Sequence, residues 1–396
     1  MSDVVVLSAA RTPIGRARKG SLASTDAFRL AEVAVAAATE RSKVPGSDLD
    51  DLILAESLQG GGVIGRNIAV RLGLPNVPGV AVNRHCASGI TAIQFAAATI
   101  IAGMGSVIVA GGTESASTMP RLTKIPPGET EPVRWMPESH PDAPGIPAHD
   151  MSVTIGENIA RLCGITREQA DAWSARSHQR AVDAIAKGYF DAEIAGVPLP
   201  GQPGDAPGGL LTTEFTTDEH PRAGTTPEVL AGLKVLHPEI PGAVVTAGNS
   251  AGLNDAAAAV VVASEDYARA HGLTPLAKIR GWASVGVDVE RTGLAPVQAI
   301  PLALKRSGLD LIQVDVVEIN EAFATMAVAC TRELGLDEEI VNVNGSGISL
   351  GHPIAATGTR MVVSMVHELA RRDAHIGVVA MCAGGGMGSA LVIERV

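Results

Sequence analysis

The chain has 396 residues, of which 46% are hydrophobic, 18% charged and 3% aromatic. A chain of this length and apolar content can bury a large core divided over two or three domains, which excludes an intrinsically disordered protein. Its 31 basic and 42 acidic side chains give a formal net charge of −11. That charge argues against nucleic acid or an anionic membrane surface as the principal partner.

The four cysteines are too few for a disulfide framework, and none has the paired spacing of a zinc site. We therefore expect a reducing compartment and no metal. The N-terminus lacks a basic leader, and no uninterrupted apolar run reaches membrane-spanning length. A soluble, cytoplasmic protein that does not bind membranes is expected.

Predicted strands and helices alternate along the first part of the chain. Residues 4–8 form an all-apolar segment, the pattern of a strand buried on both faces of a layered sheet. The elements predicted after it are a helix over 27–41, a strand over 51–58, a helix over 67–72, a strand over 80–83, a helix over 88–103 and a strand over 106–110. This alternation indicates an α/β fold with a parallel or mixed sheet flanked by helices.

Between residues 118 and 241 the composition changes to Pro, Gly and charged residues. One predicted helix pair interrupts this segment, over 154–162 and 167–187, and Thr166 with Gln169 is a predicted capping box. An irregular segment of this length predicts an insertion that lies over the functional site.

The remainder of the chain repeats the pattern of the first part. Its predicted elements are strands over 256–263 and 276–284, a helix over 295–307, a strand over 314–319, a helix over 358–371 and a strand over 377–381. We divide the chain into an N-terminal half over 1–117 and 242–272, an inserted loop domain over 118–241 and a C-terminal half over 273–396. Stacking of two similar halves brings equivalent loops together, so distant residues can share one site.

Cys86 stands between a predicted strand and the predicted helix that begins near residue 88. The N-terminus of a helix lowers a thiol pKa, and no acidic residue occurs between Glu56 and Glu114, so we expect a thiolate here. A small buried core residue is the alternative interpretation. The strand–turn–helix setting favours a nucleophile.

Three further residues occupy settings suited to chemistry on a carbonyl group. His352 lies in a glycine-rich loop before a helix, where a neutral imidazole could take the Cys86 proton. Asn320 follows a strand, and Cys382 precedes a run of three glycines that begins at Gly384, whose N–H groups could form an oxyanion hole. The structural alternatives are a satisfied loop histidine, a helix N-cap or Asx turn, and a tight turn with positive φ.

The segments around Cys86, Asn320-Glu321-Ala322-Phe323, Gly351-His352-Pro353 and Cys382 resemble, in order and spacing, the motifs of the thiolase family across essentially the whole chain. The resemblance implies two stacked βαβαβαββ halves in a five-layer αβαβα arrangement, an inserted loop domain that covers coenzyme A, and a homodimer or homotetramer. The implied activity is acyl transfer between thiols through a cysteine acyl-enzyme. Its two directions are cleavage of a 3-ketoacyl-CoA by CoA and condensation of acetyl-CoA with an acyl-CoA.

The same resemblance implies the residue roles. Cys86 carries the acyl group, His352 activates it, and Cys382 removes or returns the α-proton of acetyl-CoA. Asn320 with a bound water, together with His352, forms one oxyanion hole, and the N–H groups of Cys86 and Gly384 form the other. No cofactor is expected, because coenzyme A, acetyl-CoA and acyl-CoA enter as substrates.

Two residues are candidates for contacts with coenzyme A. Arg222 matches a family position near the nucleotide end, with a solvated surface residue as the alternative. The segment 246–252 matches the loop that binds pantetheine, but it has Ser250 then Ala251 where the common family pattern has Ala then Ser. The hydroxyl that meets pantetheine therefore comes from Ser250 or is replaced by water.

A departure from the family pattern concerns the acyl pocket. Short-chain biosynthetic members typically have His-Met-Gly before Thr-x-x-Glu-Asn, whereas this chain has Met151-Ser152-Val153 before Thr154. The methionine that narrows the pocket is therefore displaced or missing, and longer, branched or polycyclic acyl groups are expected. A short-chain-specific acetyl-CoA acetyltransferase is the alternative.

Two other function classes compete with an acyltransferase. Gly60-Gly61-Gly62-Val63-Ile64-Gly65 satisfies the G-x-G-x-x-G pattern of a dinucleotide-binding dehydrogenase, but the acidic residue expected about twenty positions later is absent. A non-catalytic acyl-CoA-binding relative is opposed by the presence of both motif cysteines and the motif histidine. Cys163 and Cys330 lie in apolar, helix-like contexts and are predicted core residues.

Overall fold

The computed structural model describes residues 3–59, 63–199 and 213–396. Its strands are β1 (Val4–Arg11), β2 (Gly15–Arg16), β3 (Asp51–Ala55), β4 (Val80–Val82), β5 (Val107–Ser115), β6 (Thr123–Lys124), β7 (Val133–Arg134), β8 (Val197–Leu199), β9 (Thr213–Phe215), β10 (Asn254–Ser264), β11 (Ala277–Gly286), β12 (Val316–Ile319), β13 (Ile376–Ala383) and β14 (Met387–Arg395). Its α-helices are α1 (Ala27–Ser42), α2 (Ile64–Arg71), α3 (Ser88–Ile101), α4 (Asn158–Cys163), α5 (Arg167–Ala186), α6 (Pro227–Ala231), α7 (Glu265–Ala270), α8 (Ala295–Ser307), α9 (Ala324–Glu333), α10 (Gly347–Leu350) and α11 (Ile354–Arg372). A π-helical segment, Ser152–Glu157, leads into α4.

The main sheet has the strand order β12-β13-β14-β11-β1-β10-β5-β3-β4, with β2 paired to β10. Its two parts, from β4 to β1 and from β11 to β12, meet in a short antiparallel pairing that runs from Val4 opposite Ile279 to Val6 opposite Ala277. In each part the pairing is parallel at the outer edge and antiparallel towards this junction. The predicted α/β fold with two similar halves is confirmed. The C-terminal counterpart of β4 is reduced to one bridge, between Val317 and Val341.

Helices fill the space between the two parts of the sheet and cover both outer faces. Between them lie α3 and α11, which contribute Ile93 and Met361 to a core that also includes β5 and β13. A second core joins α1 and α2 to the outer face of the N-terminal part, for example through Leu30. A third joins α8 and α9 to the C-terminal part, for example through Ile300. The layer order is therefore αβαβα, with the apolar faces of these helices buried against the sheet.

The segment between β5 and β10 is attached to the main sheet by buried polar contacts. Arg11 of β1 is fully buried and donates to Asp218 at 2.8 Å and to Glu193 at 2.5 Å. Removing one partner of such a buried ion pair typically costs about 3–5 kcal/mol, so this contact ties the insertion firmly to β1. The predicted capping box of Thr166 and Gln169 at the start of α5 is confirmed.

Some sequence-based expectations need correction. The strand β14 was not predicted, because the glycine run before it was interpreted as the end of the repeated pattern. In the structure β14 pairs with both β13 and β11. Cys330 is buried as predicted, whereas Cys163 is partly exposed. The glycines at 60–62 of the proposed dinucleotide motif lie outside the described residues. Among the helices of the described residues, none is long and apolar enough to cross a membrane.

Candidate active site

A cleft with an empty volume of about 1080 Å³ is bounded by both halves and by the segment between β5 and β10. Several separate segments of the chain form its wall. They contribute, among others, Ser57, Asn83, His85, Cys86, Met136, Ser139, His149, Met151, Leu253, Phe323, His352 and Gly384. Cys86 and His352, which are 266 positions apart in the sequence, therefore border one space.

Hydrogen bonds within the turn before α3 fix the position of Cys86. The Asn83 side chain accepts from the N–H of His85 at 2.9 Å, and the Ser88 hydroxyl accepts from the N–H of Arg84 at 2.7 Å while donating to the carbonyl oxygen of His85. His85 has φ 46°, a left-handed conformation that is costly for a residue with a side chain. Such strain persists where surrounding contacts determine the conformation, as they do here.

The backbone N–H groups of Gly384 and of Cys86 itself favour the charged form of the Cys86 thiol and act to lower its pKa. Burial is the larger influence and, with the nearby Glu114 carboxyl adding in the same direction, raises the pKa of the thiol to about 11. The expectation of a thiolate at this position is therefore wrong, because burial outweighs the N–H groups. The resting group is a thiol, and its reaction as a nucleophile needs a base.

His352 has the protonation pattern of such a base. Its Nδ1 atom lies 2.7 Å from Oγ1 of Thr357, and the single hydroxyl proton of Thr357 is donated to the carbonyl oxygen of Pro353 at 2.9 Å. This pattern assigns the ring proton to Nδ1 and leaves the lone pair on Nε2. Nε2 is buried and has no partner among the described residues. Burial and then the Arg360 charge lower the pKa of His352 to about 4, so the ring is neutral near pH 7.

The backbone around His352 is fixed by a close approach to β10. Gly351 has φ 101°, and a Cβ atom there would lie 2.4 Å from Oδ1 of Asn254. That same oxygen accepts the N–H of His352 at 3.0 Å, and the carbonyl oxygen of Gly252 lies 3.2 Å from the same nitrogen. Only glycine allows both the left-handed conformation and this approach, which explains the sequence Gly-His-Pro.

Asn320 is fully buried, and neither atom of its amide has a partner among the described residues. An unsatisfied buried amide costs about 1–3 kcal/mol, so such a group points to a ligand or a water molecule. The next residue, Glu321, is in contrast well satisfied. Its carboxylate accepts from Trp173, Ser177, Asn342 and the N–H of Ile348. Glu321 thus fixes the backbone while the Asn320 amide stays available.

Cys382 lies beneath the cleft wall on β13. It is fully buried, and its thiol donates to the sulfur of Met326 at 3.4 Å. Burial, and then the proximity of Cys86, raise the pKa of Cys382 well above its ordinary value. Cys86, His352 and Gly384 therefore share the cleft wall, whereas Cys382 and Asn320 are fully buried and are not among the residues that line it.

The two candidate contacts for coenzyme A stay predictions. Arg222 is exposed, and its backbone N–H donates to Nδ1 of His178 at 3.2 Å. The hydroxyl of Ser250 donates to the carbonyl oxygen of Thr246 at 2.7 Å, while the next residues, Ala251 and Gly252, line the cleft.

Two site residues were missed by the sequence analysis. Thr357 fixes the tautomer of His352. It could have been identified in the sequence as a hydroxyl residue in the first turn of the helix that follows the histidine. Glu114 is fully buried on β5 and accepts from Gln59, from the N–H of Leu58 and from the N–H of Ala355. The sequence feature that could have identified Glu114 is that it is the first acidic residue after Glu56. Burial raises the pKa of Glu114 to about 7.

A methionine forms part of the cleft wall just before Thr154. Met151 lines the cleft, and its sulfur would lie 3.4 Å from a Cβ atom placed on Gly384. Ser152 instead donates to Asp150 and contacts Nε2 of His237 at 2.7 Å.

Comparison with known proteins gives a consistent result over the full length. Residues 4–266 match the family model described as "Thiolase, N-terminal domain". Residues 273–395 match the family model described as "Thiolase, C-terminal domain". The chain is 41% identical to a 3-ketoacyl-CoA thiolase of Bacillus subtilis and 40% identical to an acetyl-CoA acetyltransferase of Cupriavidus necator, with 100% of both chains covered in each case. A crystal structure of human mitochondrial 3-ketoacyl-CoA thiolase in complex with CoA matches with a TM-score of 0.90 and 35% identity, covering 100% of this chain and 98% of the human one.

Proposed function

Because this chain belongs to the thiolase family and is an acyltransferase, we propose that it transfers acyl groups between thiols in the cleft, with Cys86 as the acyl carrier. The proposed substrates are 3-ketoacyl-CoA and CoA in the cleavage direction, and acetyl-CoA and acyl-CoA in the condensing direction. CoA as a substrate is supported by the CoA complex of the human relative. The proposal includes no further cofactor, a homodimer or homotetramer, and a cytoplasmic location.

The first half of the cleavage reaction forms the acyl-enzyme. The sulfur of Cys86 attacks the 3-keto carbon while Nε2 of His352 takes the thiol proton, and the carbonyl electron pair moves to its oxygen. Collapse of this adduct breaks the bond between carbons 2 and 3. The enolate of acetyl-CoA leaves with that electron pair and takes a proton from Cys382, which becomes a thiolate.

The second half returns the enzyme to its starting state. The thiol of CoA gives its proton to the Cys382 thiolate and attacks the acyl group on Cys86. The bond between the acyl carbon and the Cys86 sulfur breaks, and the departing sulfur recovers its proton from His352. In this scheme the thiol of Cys382 turns from Met326 towards the cleft.

Two sets of donors stabilise the oxygen atoms that become negative. The N–H groups of Cys86 and Gly384 serve the acyl carbonyl, and the Asn320 amide, through a bound water, serves the enolate of acetyl-CoA together with His352. One such donor is typically worth about a hundredfold to a thousandfold in rate. The observation that carries the proposal is that Cys86, His352 and Gly384 line one cleft, because a nucleophilic sulfur, a base and a backbone N–H donor then border the same space.

The test is acyl-enzyme formation followed by mass spectrometry of the intact protein. With acetoacetyl-CoA, the wild type is expected to gain the mass of one acetyl group at Cys86, and Cys86→Ala is expected to gain none while its CoA affinity changes by less than about twofold. Cys163→Ala is the matched control, because Cys163 is a partly exposed cysteine away from the cleft wall. Turnover by Cys86→Ala would refute the mechanism, and a wild type that binds CoA without acylation would identify a non-catalytic acyl-CoA-binding protein.

A further inference from the structure

Three consecutive residues between β9 and α6, Asp218-Glu219-His220, are fixed against the first two strands of the main sheet. The carboxylate of Asp218 accepts from the guanidinium of Arg11 on β1 at 2.8 Å. The carboxylate of Glu219 accepts from the N–H of Arg16 on β2 at 2.7 Å. The position of His220, which is half-buried, is therefore set by these two strands rather than by the loop that contains it.

The imidazole of His220 contacts both residues that hold the backbone of His352. Oδ1 of Asn254 and the carbonyl oxygen of Gly252 lie 3.0 and 3.2 Å from the backbone nitrogen of His352. A Cβ atom on Gly252 would lie 2.3 Å from Cε1 of His220, so the ring packs directly against this glycine. Nδ1 of the same ring lies 3.3 Å from Nδ2 of Asn254. His220 is not among the residues that line the cleft, so its influence on the site passes through these two contacts.

The amide orientation of Asn254 determines the direction of its hydrogen bond with His220. The amide oxygen accepts the N–H of His352, and Nδ2 donates to the carbonyl oxygen of Gly15 at 2.9 Å. This leaves the second proton of Nδ2 for His220, which makes Nδ1 of the imidazole the acceptor. Burial, followed by the charge of Arg222, lowers the pKa of His220 to about 4, so the ring is neutral near pH 7 and one nitrogen is free to accept.

We propose that His220 is a positioning residue, which acts through Asn254 to hold the imidazole of His352 where it takes the Cys86 proton. This inference rests on the proposed function, because it concerns the base that activates Cys86. Nε2 of His352 has no partner among the described residues, so the backbone and the contact at Nδ1 fix the ring. Proton transfer needs hydrogen-bond distance between thiol and base, so a small displacement of the ring slows the reaction without weakening substrate binding.

The experiment compares two replacements of His220 that differ in the acceptor. His220→Phe keeps a planar ring beside Gly252 but has no atom that accepts from Asn254, whereas the amide oxygen introduced by His220→Asn can take the place of Nδ1. We expect His220→Phe to lower kcat for acetoacetyl-CoA cleavage about tenfold and to change KM less than about twofold. His220→Asn should keep kcat within about threefold of the wild type.

A second measurement isolates the step in which His352 acts as the base. The rate at which acetyl-CoA acetylates Cys86, followed by rapid quenching and mass spectrometry, should fall by the same factor as kcat in His220→Phe. The control is His367→Phe, at a half-buried histidine on α11 whose Nε2 lies 3.4 Å from the carbonyl oxygen of Ala9. It should keep the wild-type kcat and acetylation rate.

The outcomes separate this inference from the proposed function. An unchanged kcat in His220→Phe, or equal losses in the Phe and Asn variants, would overturn the inference. A raised KM with the wild-type kcat would also overturn it, because His220 would then be a substrate contact. If His220→Phe does not fold, His220→Ala takes its place: a kcat about tenfold below that of His220→Asn supports the inference, and an equal kcat overturns it. A wild type in which Cys86 is never acylated would overturn the proposed function as well.

Discussion

The imidazole of His352 and the hydroxyl of Thr357 are joined by a 2.7 Å hydrogen bond, and we assign the imidazole as its donor. The direction follows from the Thr357 proton, which is committed to the carbonyl oxygen of Pro353. A hydroxyl in the first turn of α11 therefore determines which nitrogen of the proposed base is free.

Thr357→Val removes the acceptor for Nδ1–H and keeps the shape of the side chain. The ring can then place its proton on Nε2, where it cannot accept the Cys86 proton. We expect kcat for acetoacetyl-CoA cleavage to fall about a hundredfold, the lower range for loss of a general base, with KM changed by less than about threefold. Thr357→Ser should restore most of the rate.

Thr359→Val is the matched control for this exchange. Thr359 lies on the same helix, is fully buried, and its hydroxyl has no partner among the described residues. Its replacement should leave kcat unchanged and keep or raise the melting temperature, because it removes an unsatisfied polar atom. Equal kcat losses in both valine variants would show that the Thr357 contact is only structural.

The elements that position the site were largely predictable from the sequence, because buried strands are apolar runs and the reactive residues follow them. The charges near the Cys86 thiol, and the resulting shift of its pKa, could not be predicted. Glu114 lies 28 positions after Cys86 in the sequence, yet β5 brings its carboxyl near the thiol. Neither this proximity nor the burial that raises the thiol pKa can be inferred from residue spacing.

A second prediction concerns the pH dependence of Cys86. A thiol pKa of about 11 means that the thiolate fraction, and with it the rate of alkylation by iodoacetamide, rises about tenfold per pH unit between pH 7 and 9. Glu114 ionises near pH 7 and its charge opposes the thiolate. Glu114→Gln should therefore alkylate about threefold faster than the wild type at pH 9, and equally fast well below pH 7.

Peptide mass spectrometry measures the rate at Cys86 separately from the other cysteines. Asp255→Asn is the control, since Asp255 is another buried carboxyl whose pKa burial raises. We expect its alkylation profile to match the wild type. A wild-type rate that is already constant above pH 7 would contradict the raised thiol pKa.

A third prediction distinguishes two adjacent glycines after β13. Gly385 has φ 87°, and a Cβ atom there would lie 2.6 Å from the carbonyl oxygen of Ser139. A Cβ atom on Gly384 meets Met151 at an ordinary 3.4 Å. Gly385→Ala should lower the free energy of unfolding by about 2 kcal/mol or more, measured with urea, whereas Gly384→Ala should change it by less than about 1 kcal/mol.

The two variants should also differ in substrate preference. Gly384→Ala keeps the N–H that faces Cys86 but adds a methyl group beside Met151. The ratio of kcat/KM for 3-oxohexanoyl-CoA to that for acetoacetyl-CoA should therefore fall about threefold. An unfolded Gly384→Ala protein, or an unchanged ratio, would contradict this placement of the cleft wall.

The cleft wall at Met151 was the part of the candidate site that motif spacing could not place. The segment Ser152–Glu157 is π-helical, with hydrogen bonds to the fifth rather than the fourth residue. Met151, which directly precedes this segment, lines the cleft, whereas Ser152, its first residue, contacts His237. Counting positions from the Glu157-Asn158 motif assumes regular helical geometry and therefore leaves the position of the methionine open.

The last prediction uses Met151 to test the size of the acyl pocket. Met151→Ala removes a side chain from the cleft wall, so kcat/KM for 3-ketoacyl-CoA esters longer or more branched than acetoacetyl-CoA should rise about threefold to tenfold relative to acetoacetyl-CoA. Met104→Ala, at a residue that is 81% exposed, is the control and should leave the chain-length profile unchanged. If the wild type cleaves only acetoacetyl-CoA efficiently and Met151→Ala does not widen that range, Met151 does not limit the pocket, and a short-chain-specific acetyl-CoA acetyltransferase is the better assignment.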